Sequence, residues 1–127
     1  MIEFFGWACL TFSTEEEQEA VALKKISTIK SLIRTGNSSL KWDISGINGS
    51  YYLNVLGGAN HLSDEWFRVL KGYQVIAELL PNAYGLLYIR DDEDPVNENT
   101  FLIFCLKKGT LSTSIDTNLS PCFPEIE

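Results

Sequence analysis

Residues 83–95 read AYGLLYIRDDEDP, and how this stretch is taken decides the fold. Its first half, Tyr84 to Ile89, is apolar and aromatic and reads as a buried strand. Its second half sets four carboxylates in a row, Asp91, Asp92, Glu93 and Asp94. Like charges repel one another, and burying them without partners costs several kcal/mol each. Pro95 then stops ladder pairing, because it has no N–H to donate. The chain must therefore supply a sheet for the strand and an open edge for the acids.

The flanking segments supply that sheet. Upstream, Trp66, Val69, Leu70, Tyr73, Ile76, Ala77 and Leu80 recur at the helical period. The helix starts after Ser63, carries Asp64 and Glu65 in its first turn, and ends at Pro81 and Asn82. Gly72 lies off this stripe, where it either allows a close approach or weakens the helix. Downstream, Phe101 to Leu106 is nearly all apolar, as an interior strand would be. Lys107 to Thr110 reads as a turn, and Leu111 to Ile115 as a candidate final edge strand.

Farther from the centre, Leu40 to Ser45 alternates apolar and polar residues, a half-buried strand. Asn48-Gly49 is a hairpin turn signal, and Tyr51 to Leu56 returns as the next strand. Gly57, Gly58, Ala59, Asn60 and His61 read as a loop. Ile2 to Phe12 is apolar on both faces, which predicts a strand that is central or covered on both sides. Ser13 with Glu16, or Thr14 with Glu17, fits a capping box. A helix follows to about Thr35, with Ala22, Ile26, Ile29 and Ile33 as its stripe and Gly36 as its stop. The order is β-α-β-β-α-β-β with a candidate sixth strand. This predicts one α+β domain over residues 1–127, a mostly antiparallel sheet of five to six strands with two helices packed on it.

The 127 residues are 45% hydrophobic and carry a net charge of -7. Nucleic acid and anionic membranes are poor partners for such a chain, since both need clustered Lys and Arg. A basic protein suits it better. Cys9, Cys105 and Cys122 are odd in number and form no CxxC pair, which disfavours a disulfide framework or zinc site. The opening MIEFFGWACLTF has no basic leader and reads as a strand rather than a signal peptide. No apolar run reaches the roughly 18 residues of a membrane span. The expected compartment is the reducing cytoplasm.

Several residues could carry function. The acids at 91–94 are solvated, bind a cation, or face Lys and Arg of a partner. Calcium fits poorly, because its loops alternate ligands and need a Gly and a distal Glu. Gly57-Gly58 matches no phosphate-binding loop, and no cofactor or metal site is expected. His61, the sole histidine, has no nucleophile motif beside it. Tyr51 and Tyr52 point to opposite faces, so one of them is a candidate exposed anchor.

The chain resembles immunity protein family 7 of bacterial polymorphic toxin systems. The resemblance rests on Glu3-Phe4-Phe5-Gly6-Trp7-Ala8, on Gly57 to His61, on Tyr84 to Asp94, and on Leu119 to Glu127 with its Ser120-Pro121-Cys122. Ala59 and Leu62 interrupt a stretch that is more polar in the family. The resemblance implies a non-enzymatic protein in the producing cell's cytosol. Such a protein binds a cognate toxin domain and blocks its active site or an essential surface. Toxins of these systems are often nucleases with basic clefts, which an acidic inhibitor suits. The expected partner-binding residues are Asp91, Asp92, Glu93, Asp94, Asn60, His61, Tyr52, Glu125 and Glu127, on a monomer or weak homodimer. Two alternatives remain: a small cytosolic hydrolase using His61 with a loop acid, and a generic acidic interaction module. The hydrolase requires a cleft holding His61 within hydrogen-bond reach of a carboxylate.

Overall fold

In a computed structural model, which describes residues 1–11, 19–34 and 40–121, the stretch Tyr84–Asp91 runs inside a six-stranded sheet. The elements are β1 (Ile2–Leu10), α1 (Glu19–Ile33), β2 (Leu40–Ile47), β3 (Ser50–Ala59), α2 (Asp64–Leu79), β4 (Tyr84–Asp91), β5 (Leu102–Lys107) and β6 (Thr110–Ile115). The strand order is β2-β3-β1-β4-β5-β6, and every neighbouring pair is antiparallel. This is the expected α+β architecture, and the candidate sixth strand forms. The proposed capping box, the Gly36 stop, Phe12 and residues 122–127 lie outside the described residues.

Two short turns fix the outer hairpins. Asn48 and Gly49 both take positive φ, 50° and 81°, and Lys108 and Gly109 do the same at 51° and 73°. Paired positive φ values give a turn whose twist matches that of the strands it joins.

Both helices lie on one face of the sheet. Ile26, Ile29 and Ile33 of α1 join Trp66, Val69, Tyr73 and Ile76 of α2 in one core with Ile2, Phe4, Leu10, Leu53 and Leu87. Each such aliphatic side chain contributes about 1.5–3 kcal/mol when fully buried. Gly72 sits where the helices meet: a Cβ there would lie 3.0 Å from Ile33 Cγ1. Close approach is therefore its role. The Tyr73 hydroxyl donates to the Leu86 carbonyl at 3.3 Å, and burial pushes this phenol far above its usual range.

Two expectations are corrected. Gly57, Gly58 and Ala59 belong to β3, not to a loop. A Cβ on Gly57 would stand 2.3 Å from the Phe4 ring, so the glycine leaves room for an aromatic to lie across the strand. The second correction concerns the strands that read as buried on both sides. β1 is central, one of the two settings predicted for it, with the helices on only one of its faces. β4 largely alternates between buried and partly open residues, and the first four residues of β5 are all only partly buried.

The end of the described chain folds back on the start of β5. The Asp116 carboxylate, 1% exposed, accepts the N–H groups of Asn118 and Leu119 and the Ser120 hydroxyl. Ser120 Oγ in turn accepts the Phe101 N–H at 2.9 Å. The Ser120–Pro121 peptide is cis. Through its hydroxyl's two hydrogen bonds, Ser120 of the Ser-Pro signature has a structural role at this turn.

Candidate functional site

β4 carries the acid run to the end of the sheet where β1 begins, since Ile2 pairs with Asp91 in the register. The loop then organises itself with its own carboxylates. Asp94 Oδ1 accepts the N–H groups of Val96 at 2.9 Å and Asn97 at 3.2 Å. These donors hold the Asp94 carboxyl below its usual range, since they favour the charged form. Asp91 Oδ1 accepts the Glu93 N–H at 3.0 Å. Asp92 pairs with the Met1 ammonium, which lowers the Asp92 carboxyl and is itself raised in return. Glu93 Oε1 lies 2.7 Å from His61 Nδ1.

The four acids therefore divide by task. Asp91 and Asp94 shape the turn, while Asp92 and Glu93 face water, Asp92 beside the Met1 ammonium and Glu93 beside His61. His61 joins this edge, and Asn60 precedes it on the surface. Tyr52 does not join it. It pairs with Cys9 near the other end of β1, seven residues and about 23 Å of strand away. Glu125 and Glu127 lie outside the described residues.

The His61–Glu93 contact meets one requirement of a hydrolase, but the setting is open. The two side chains are 77% and 52% exposed. The adjoining cavity of about 190 Å³ is lined by Trp66, Phe104, Asp91 and Asp94 among others, not by the imidazole. Among the described residues, no group of three or more His, Cys, Asp or Glu could hold a metal ion. None of the described helices is long and apolar enough to cross a membrane.

The sheet face turned away from the helices is a second candidate, of which the predicted partner-binding residues include only Tyr52, level with Cys9 and Tyr84 in the register. Trp7 and Tyr84 meet there with ring centroids 5.9 Å apart. Phe5 stacks on Tyr88 at 5.1 Å, and Phe101 meets Phe5 edge-on at 5.4 Å. Trp7 and Tyr84, together with Leu56, remain exposed. A groove of about 420 Å³ opens between Trp7, Tyr84, Leu86 and Cys105, with Lys107 and Lys108 on its far rim. At the other end Arg90 Nε donates to Glu3 Oε1 at 2.8 Å, and the Arg90 side chain is only 5% exposed. That pair closes the face against the acidic edge. The available signal was arithmetic. Three strands were apolar on both faces, but two helices with one apolar stripe each can cover only one.

Comparison with known proteins gives one match. The model of the family described as Immunity protein 7 matches residues 1–127, the whole chain. No curated protein and no solved structure matches.

Proposed function

Since the chain belongs to the Immunity protein 7 family, we propose that it protects the producing cell by binding a cognate toxin domain and occluding that domain's active site or an essential surface. The observation that carries this reading is the family match across all 127 residues. The protein acts by binding in the cytoplasm and makes no covalent change to its partner. Asp92 and Glu93, with His61 and Asn60 beside them, form the docking edge. The net charge of -7 steers a basic partner toward it and raises the association rate. A basic cleft is what a nuclease presents to its substrate, so a nuclease domain is the toxin class that suits this chain.

The test is protection and complex formation with the toxin domain encoded beside this chain's gene. Co-expression should restore growth, and the purified pair should form a stoichiometric complex in which toxin activity is lost. If cells die at the same rate with and without the chain, and no complex forms, the reading is wrong. The hydrolase alternative has one observation in its favour, the 2.7 Å His61–Glu93 contact. Its high exposure argues for an ordinary surface contact, because open water screens such pairs.

A further inference from the structure

We infer that the uncovered face of the sheet is the seat of the toxin domain, with the groove between Trp7, Tyr84 and Cys105 receiving an apolar side chain of that domain. The inference rests on the immunity reading and names the surface that would do the holding.

Three observations support it. First, the apolar residues are contiguous: neighbouring strands place Leu56, Phe5 and Tyr88 in one row and Trp7 and Leu86 in the next. Solitary exposed hydrophobics are ordinary, but a contiguous patch rimmed by polar groups marks an interaction site. Second, the anchors are the right kind. Trp and Tyr dominate the few residues that carry most binding energy, and they do so near the centre of an interface. The groove's roughly 420 Å³ falls within the range of small-ligand pockets, about 300–1,000 Å³, which is room for a large side chain.

Third, the charges choose the occupant. The patch ends at the Arg90–Glu3 pair, and the acid run follows directly on β4, so a partner that covers the apolar centre and reaches past this end meets the acids. A second copy of this chain brings the same net -7 and is repelled at long range. Lys107 and Lys108 at the far rim suit a carboxylate or carbonyl of the partner next to the inserted side chain.

The experiment measures binding of the catalytically inactivated toxin domain encoded beside the gene to the full chain and to Trp7→Ala, Tyr84→Ala and Leu56→Glu. Circular dichroism and melting check that each variant folds, and the 59% exposure of Leu56 keeps one variant safe if Trp7→Ala does not. Trp7→Ala should speed dissociation about 30-fold or more, the loss typical of a hot spot, and Leu56→Glu should weaken binding as well. If the folded variants all bind at wild-type rates, the toxin sits elsewhere: the inference fails and the immunity reading survives. If the wild-type chain itself does not bind, both fail. If the chain is a dimer that Trp7→Ala dissociates, while the intact dimer binds the toxin normally, the face belongs to a second copy and the inference is overturned.

Discussion

Trp7 and Tyr84 meet edge to face at 84° on the open side of the sheet, yet each keeps a large part of its surface in water, 41% and 47%. An aromatic pair in that state adds little to folding. Its geometry contributes about 0.5–1.5 kcal/mol beyond area burial. Tyr84→Ala loses that term and the burial of about half a side chain, so it should lower unfolding stability clearly less than emptying a fully buried aromatic site does. Tyr73→Ala, which empties a fully buried site, should cost about 3–5 kcal/mol. Urea unfolding of both variants makes the comparison. Equal costs would mean that the open face is structural after all.

Gly85 is held by backbone. A Cβ there would lie 2.2 Å from the Trp7 carbonyl oxygen and 2.6 Å from Ala8 Cα. Neither atom can swing aside as a side-chain tip can. Gly85→Ala should cost about 1–3 kcal/mol or more by overpacking. Gly46→Ala is the control, because its Cβ would meet only Tyr51 ring carbons at 3.5 and 3.8 Å, an ordinary contact. Thermal melts should show a large drop for the first and little change for the second.

His61 and Glu93 form an exposed pair, and exposed pairs contribute about 0.2–1 kcal/mol at most. His61→Ala should leave stability nearly unchanged and leave protection against the toxin in place, with a modest effect on association. Complete loss of protection with unchanged toxin binding would instead revive a catalytic role for the imidazole. Protection of co-expressing cells and a binding assay on the same variant separate the two.

Asp94 links the acidic loop to pH. Its folded value is lowered from the ordinary 3.8, chiefly by the Val96 and Asn97 N–H groups. A lowered carboxyl stabilises the fold fully above 3.8 and loses that contribution as pH falls through the folded value. Asp92 has the same sign through the Met1 ammonium. Asp94→Ala should therefore be less stable than wild type near neutrality and converge with it in strong acid. Urea midpoints across that range check the convergence. A constant gap at all pH values would mean that the carboxylate's charge is not what matters.

Much of this fold was legible because its signals are local. The stripe from Trp66 to Leu80 and the Asn48-Gly49 turn depend only on near neighbours. Gly57 and Gly58 misled, because glycine ordinarily interrupts a strand, and the ring of Phe4 that requires its absence of side chain lies on another strand. The acid run was legible as an open edge. Its internal arrangement was not, because the Glu93–His61 contact spans 32 residues and the Asp92–Met1 contact spans 91. The outer face was hidden for a different reason. Apolar residues on both sides of a strand give the same pattern whether the second side is covered by the chain itself or left for a partner.

The most direct measurement is the association rate of the inactivated toxin domain with the wild-type chain, followed as salt rises, beside the quadruple charge reversal of Asp91, Asp92, Glu93 and Asp94 to Lys. The account predicts fast association that slows with salt, and a variant that associates more slowly and loses most of that salt dependence. Asp91 and Asp94 also shape the loop, so Asp92→Lys with Glu93→Lys alone should reproduce most of the slowing. A wild-type rate indifferent to salt and unchanged by both sets of reversals would contradict the acidic docking edge.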